Sequence, residues 1–278
     1  MASLATTQDN APTVPKPEGF TDVDWDAVER VVGKDKADLM KKGEGFTGPL
    51  DISGKKITPE GCKILAPALM KMTGLILLYL NQNQYGDEGL QFVAPALRTM
   101  TSLEKLYLST NNIGDEGCRT IAPALRTMTN LKRLYLSKNN IGDEGCRTIA
   151  SALPTMTNLR FLSLSYNNIG DNGIASICKV LPEMVSLDSL GLNGNKIGNV
   201  GCQGLLELVE NGSLPSLTDL WLEDNTNISP ELKNKFGRVW EAKGKSKYHL
   251  DVHLSRLDCQ ERTYYDTDLF TSTDLDYY

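Results

Sequence analysis

Thr101 to Met128 reads TSLEKLYLSTNNIGDEGCRTIAPALRTM, and Thr129 to Met156 follows at once with TNLKRLYLSKNNIGDEGCRTIASALPTM. Two nearly identical stretches back to back predict a chain made of stacked copies of one small unit. A unit this short cannot bury its apolar face alone, so each copy borrows a wall from its neighbours. Working outward, the first leucine of each unit falls at Leu75, Leu103, Leu131, Leu159 and Leu187, each 28 residues after the last. Leu217 comes 30 later, the extra residues falling in the Glu210–Ser213 turn, where an insertion costs little. An eroded earlier copy carries Leu50 and Ile52 where the next has Leu78 and Leu80, which makes roughly seven units between about Thr47 and Ser229.

Within a unit, LYLS alternates apolar and polar residues, as a short half-buried strand does. Leu106 and Leu108 point inward, Tyr107 and Ser109 outward. An asparagine then recurs at Asn83, Asn111, Asn139, Asn167, Asn195 and Asn225, where its amide can donate to and accept from loop backbone groups. After it come Ile-Gly-Asp-Glu-Gly and the i, i+3, i+4, i+7 spacing of Cys118, Ile121, Ala122 and Leu125, an amphipathic helix. Asp115 or Glu116 sits near its positive end. Its carboxylates are read as a solvated helix start, with a calcium edge as the alternative. Pro67, Pro95 and Pro123 share one helix position and predict a bend or a late start. Strands stack about 4.8 Å apart while helices need about 8–10 Å, so the expected fold is α/β, with a parallel sheet on the concave side and helices on the convex side.

The units from Leu75 to Asn225 resemble the leucine-rich repeats of the ribonuclease-inhibitor-like type, and the resemblance extends to Leu50. It implies a horseshoe solenoid with 28-residue repeats. Relatives of that kind include enzyme inhibitors, immune receptor sensors, actin-capping tropomodulins and Ran GTPase-activating proteins. The resemblance therefore implies a protein-binding scaffold more readily than any one partner.

Composition narrows the classes further. The net charge is −6 over 278 residues, which argues against a dominant phosphate-backbone footprint and so against a nucleic-acid partner. No run of 18 apolar residues is present, so no membrane span is expected. The start, MASLATTQDNAPTVPKPEG, lacks a basic region followed by an apolar core, so a cytoplasmic location is expected. Cys62, Cys118, Cys146 and Cys202 share a repeat position taken elsewhere by Leu90 and Ile174, so they read as reduced core thiols; Cys178, one helical turn beyond Ile174, joins them. Cys259 alone lies outside the repeats. His249 and His253, the only histidines, would stand about 13 Å apart on a strand, so neither a metal nor a cofactor is expected. No nucleophile, base and orienting group can be assembled, and the expected role is not enzymatic.

Four regions are expected. Residues 1–20 form a flexible N-terminal segment and 21–46 a helical cap with Trp25, Val28, Val31 and Val32 on one face. Residues 47–254 are the repeat array, closed by a helix with the stripe Leu232, Phe236, Val239 and Trp240 and by a strand from Lys247 to Leu254. Residues 255–278 form an acidic, tyrosine-rich tail, either free or docked on the horseshoe.

The outward strand positions predict the working surface. One column runs Asp51, Tyr79, Tyr107, Tyr135, Ser163, Gly191 and Trp221; beside it stand Leu77, Lys105, Arg133, Phe161, Ser189 and Asp219. A third holds Gln82, Thr110, Lys138, Tyr166, Gly194 and Asp224. Aromatic residues and arginine dominate interface hot spots. The candidate partner-binding set is therefore Tyr79, Tyr107, Tyr135, Lys105, Arg133, Lys138, Arg160, Phe161, Tyr166, Trp221, Asp219 and Glu223. A basic centre among tyrosines suits an acidic partner surface or the acidic tail itself. A tyrosine ladder held together for packing alone is the competing reading. On the first reading, replacing Tyr107 and Tyr135 by alanine spares the fold and weakens capture. Two alternatives stay open: a small-GTPase regulator resembling the Ran GTPase-activating proteins, whose loop positions here offer Lys55, Lys56, Asn81 and Gln82 but no arginine, so that no catalytic residue carries over, and a tropomodulin-like cytoskeletal cap.

Overall fold

The computed structural model describes residues 23–245 and the backbone of Tyr248 and His249. Its sheet consists of β1 (Pro49–Asp51), β2 (Leu77–Tyr79), β3 (Lys105–Tyr107), β4 (Arg133–Tyr135), β5 (Phe161–Ser163), β6 (Ser189–Gly191), β7 (Asp219–Trp221) and β8 (Tyr248–His249). They pair in chain order and all in parallel. Between consecutive strands the chain returns through α3 (Pro59–Leu69), α4 (Gly86–Leu97), α5 (Asp115–Leu125), α6 (Asp143–Ala150), α7 (Asp171–Val180), α8 (Asn199–Glu210) and α9 (Pro230–Ala242). This is a leucine-rich-repeat solenoid, with the sheet on its concave side and the helices behind it.

One continuous core runs the length of the array. Leu106 and Leu108 from the strand, Ile113 from the loop, Cys118, Ile121 and Leu125 from α5, and Met128 and Leu131 from the return are all fully buried, and the same positions repeat in the neighbouring coils. The asparagines act as the sequence predicts. The Asn139 amide donates to Leu108 O at 3.1 Å and Leu136 O at 3.0 Å, and its Oδ1 accepts from the backbone of Asn111 and Ile113, each at 3.0 Å. Each asparagine thus bonds two coils and satisfies backbone groups that no strand or helix reaches.

The acidic helix starts do more than face solvent. Asp115 Oδ1 accepts from Gly142 N at 2.7 Å and from Gly145 N at 2.9 Å, one coil further on. Asp143 and Asp171 make the same pair of bonds to Gly170 and Gly173 and to Gly198 and Gly201. A Cβ at Gly145 would stand 2.5 Å from Asp115 Oδ1, so the second glycine of Ile-Gly-Asp-Glu-Gly makes room for a carboxylate from the preceding coil. Neither the solvated start nor the calcium edge describes these aspartates.

The recurrent prolines do not delay the helices: Pro67, Pro95 and Pro123 lie in the last turn of α3, α4 and α5. Only two helical residues follow each proline, which limits the cost of the lost amide donor. Where proline comes later, at Pro154 and Pro182, the helix instead passes into a 3₁₀ turn.

At the N-terminal end, α1 (Trp25–Val32) and α2 (Lys34–Met40) bury Val28, Val32, Ala37 and Met40 against the first coil. Asp24 caps α1 by accepting from Ala27 N at 3.0 Å. Trp25 is half-buried against the core, with Lys41 Nζ 5.8 Å from its ring centroid. At the other end Ser229 caps α9 through Leu232 N, Pro230 opens it, and Phe236 and Trp240 are its buried anchors. Leu232 and Val239 are only partly buried. The expected strand residues beyond His249, the tail from 255, the N-terminal 1–22 and Cys259 lie outside the described residues.

Candidate concave interface

The strand register places each predicted column. Tyr79 pairs with Tyr107, Tyr107 with Tyr135, Tyr135 with Ser163, Ser163 with Gly191, and Gly191 with Trp221. The second column pairs Leu77, Lys105, Arg133, Phe161, Ser189 and Asp219 in the same way. The third leaves the strands in the left-handed conformation: φ is +59° at Thr110, +54° at Lys138, +55° at Tyr166 and +58° at Asp224. Side chains are held there despite the preference of that region for glycine, which the partner position Gly194 satisfies.

The tyrosines stack. Ring centroids lie 4.4 Å apart between Tyr79 and Tyr107 and 4.3 Å between Tyr107 and Tyr135, with interplanar angles of 19° and 8°. The aromatic line then switches columns: Phe161 meets Tyr135 at 4.8 Å and Trp221 at 6.1 Å, both tilted. Tyr107 keeps 2% and Tyr135 6% of its exposure, whereas Tyr79, Phe161 and Trp221 are only partly buried. Tyr107 and Tyr135 therefore pack as a small second core with Leu77, so they carry packing as well as facing the concave side.

Beside this line lies a hollow of about 350 Å³, bordered by Tyr135, Phe161 and Trp221. Its floor is polar. Ser137 and Ser163 share a hydrogen bond, Ser163 donates to Ser165 at 3.4 Å, and Ser165 donates to Asn193 Oδ1. Ser163, Ser165 and Asn193 are buried. Arg133, Arg160 and Asp188 line one side, and Lys138 and Tyr166 the other. Lys138 Nζ stands 5.8 Å from the Tyr166 ring centroid, and the Tyr166 hydroxyl donates to Asp224 Oδ2 at 3.3 Å.

The structure separates the sequence-predicted set into groups. Tyr135, Arg133, Lys138, Arg160, Phe161, Tyr166, Trp221 and the edge of Tyr107 meet at the hollow. Tyr79 and Lys105 lie toward the N-terminal end of the ladder, and Asp219 is on β7, with its Oδ2 accepting from Thr218 Oγ1 at 3.0 Å. Glu223 is buried at 1% exposure and not a rim group. Burial, with a smaller push from Asp224, raises its carboxyl to about 7 against an opposing bond from its own backbone. The serine and asparagine floor went unpredicted. Its signal was present: Ser163 and Gly191 interrupt a column that is otherwise aromatic on both sides.

The basic centre is partly neutralised at its edge, where Lys132 pairs with Glu104 at 2.8 Å. The thiols of Cys62, Cys118, Cys146 and Cys202 are buried and that of Cys178 is partly so; all five are free. Burial pushes those of Cys62, Cys146, Cys178 and Cys202 up to about 12, and Cys118 shifts the same way. No three His, Cys, Asp or Glu side chains converge to hold a metal among the described residues. No helix among them is long and apolar enough to cross a membrane.

The sequence model of the Leucine Rich repeat family matches residues 99–122, 127–150 and 155–178. No curated protein matches the chain. Among solved structures, an internalin C2 from Listeria monocytogenes is similar, with 26% identity over 74% of this chain and 84% of that one, and a TM-score of 0.46. Three segments of the chain thus match leucine-rich repeats and its fold is a leucine-rich-repeat solenoid; domains of that kind generally mediate protein–protein interactions.

Proposed function

We propose that this protein is a non-enzymatic interaction module that binds a partner protein on its concave face, in the hollow between Tyr135, Phe161 and Trp221. One observation carries the reading: aromatic walls, buried hydroxyls and the cations Arg133, Arg160 and Lys138 converge on one hollow of about 350 Å³. Aromatic and arginine side chains around a depression are the material of interface hot spots. The cations favour a partner surface that carries carboxylates. Tyr79, Lys105, Tyr107 and Asp219 extend the same face. The matched segments begin at residues 99, 127 and 155. That spacing supports 28-residue repeats of the ribonuclease-inhibitor-like type, and we place the protein in the cytoplasm, where its free thiols would stay reduced.

Affinity capture from native lysate tests this with two full-length variants. Arg133→Glu with Arg160→Glu reverses charge on the concave side. Arg119→Glu with Arg147→Glu does so on the exposed faces of α5 and α6, where each arginine pairs with a glutamate of its own helix. Loss of captured protein with the first pair and retention with the second is the expected result. Equal retention by both overturns the reading. A GTP-hydrolysis assay across small GTPases separates it from a GTPase regulator.

A further inference from the structure

The aromatic column is interrupted at two coils, and the hollow opens where it is interrupted. Tyr79, Tyr107 and Tyr135 are in register, but the next two places hold Ser163 and Gly191 before Trp221 resumes the line. Phe161 bridges those two coils from the neighbouring column, 4.8 Å from the Tyr135 ring and 6.1 Å from that of Trp221, and the slot is the hollow that opens beside it. Phe161 closes one flank. The buried Ser163, Ser165 and Asn193 form the base. A ring entering the hollow would lie against Phe161 and Trp221, and a hydroxyl at its tip would meet groups able both to donate and to accept. Arg133 and Arg160 beside Asp188 on one lip and Lys138 on the other leave an excess of positive charge that suits carboxylates next to that ring in sequence.

A stretch of this chain has that chemistry. Tyr264-Tyr265-Asp266 and Asp274-Leu275-Asp276-Tyr277-Tyr278 set tyrosines beside aspartates, and both belong to residues 258–278. The chain leaves the sheet at β8, which pairs with β7, the strand that carries Trp221. From His249 to Tyr264 it can span up to roughly 50 Å, against the 10 Å or so needed to reach the slot.

Building on the concave-interface reading, we propose that the slot is a receptor for a tyrosine flanked by carboxylates. In the resting protein its occupant is the protein's own segment 258–278, and a partner binds by displacing it.

The test uses a fluorescein-labelled peptide of residues 262–278 and two full-length proteins, wild type and a tail variant. The tail variant has Tyr264, Tyr265, Phe270, Tyr277 and Tyr278 changed to Ser and Asp266, Asp268, Asp274 and Asp276 to Asn. A tethered segment competes at high effective concentration, so anisotropy should show the tail variant binding the peptide about tenfold or more tighter than wild type. Adding Arg133→Gln and Arg160→Gln to the tail variant should remove most of that gain, with circular dichroism confirming that the fold is kept. Equal binding by wild type and tail variant, or no binding by either, overturns the proposal. If the peptide fails while charge reversal at Arg133 and Arg160 still abolishes partner capture, self-docking falls and the concave interface stands. If capture is also indifferent to those arginines, both fall.

Discussion

At the scale of single residues, two buried groups depart from the repeat consensus, and each predicts a measurable effect. Tyr85 occupies the place that Ile113, Ile141, Ile169 and Ile197 fill elsewhere, is 1% exposed, and its hydroxyl has no hydrogen-bond partner among the described residues. An orphaned buried hydroxyl costs about 1–3 kcal/mol. Tyr85→Phe should therefore leave stability unchanged or raise it by about 1 kcal/mol in urea unfolding, and a clear loss would show that the hydroxyl is bonded. Glu223 is the second case. Burial raises its folded carboxyl to about 7 from an ordinary 4.5. Both states are protonated below about pH 4.5, so this residue imposes no penalty there. Between pH 4.5 and 7 the unfolded chain ionises first and stability declines, by up to roughly 3 kcal/mol. Glu223→Gln should remove that decline, so the thermal midpoints of variant and wild type diverge as pH rises to 7. Parallel midpoints across the range would contradict the account.

At the scale of the element, the coil is held by side chains that cross to the next coil, and this is where sequence and structure part. The strand, asparagine and helix positions are legible because each follows a periodicity of its own: Leu106 and Leu108 alternate, and Cys118, Ile121 and Leu125 share a helical face. The role of Asp115 is not legible, because its partners Gly142 and Gly145 lie about one repeat away and both are also explained by turn chemistry. A double-mutant cycle makes the pairing visible. Gly145→Ala sets its Cβ against Asp115 Oδ1, and Asp115→Ala leaves two amides without an acceptor. The double variant should cost less than the sum of the singles by about 1 kcal/mol or more; strict additivity would mean the two do not meet. The tyrosine ladder follows the same logic. Outward alternation placed Tyr107 on the surface, but rings 4.3–4.4 Å away on both sides bury it. Tyr107→Ala should cost about 3 kcal/mol or more, in the range of a large-to-small core change. A cost below about 1 kcal/mol would return the ladder to a purely surface role.

At the scale of the whole molecule, parallel stacking turns a short motif into a graded surface. Every coil repeats its core, while the outward columns vary freely: tyrosines first, then Ser163 and Gly191, then Trp221. The columns could be written down from the period alone, since register in a solenoid is fixed by repeat length. The hollow could not, because it arises from what two adjacent coils omit and from Phe161 crossing to the next column. Hydrogen–deuterium exchange of the full chain, alone and with the protein it captures, tests the concave face most directly. Protection is predicted at residues 105–110, 133–138, 161–166 and 219–224, with α5, α6 and α7 unchanged. Protection confined to those helices, with the strands and their outgoing loops unaffected, would contradict the account.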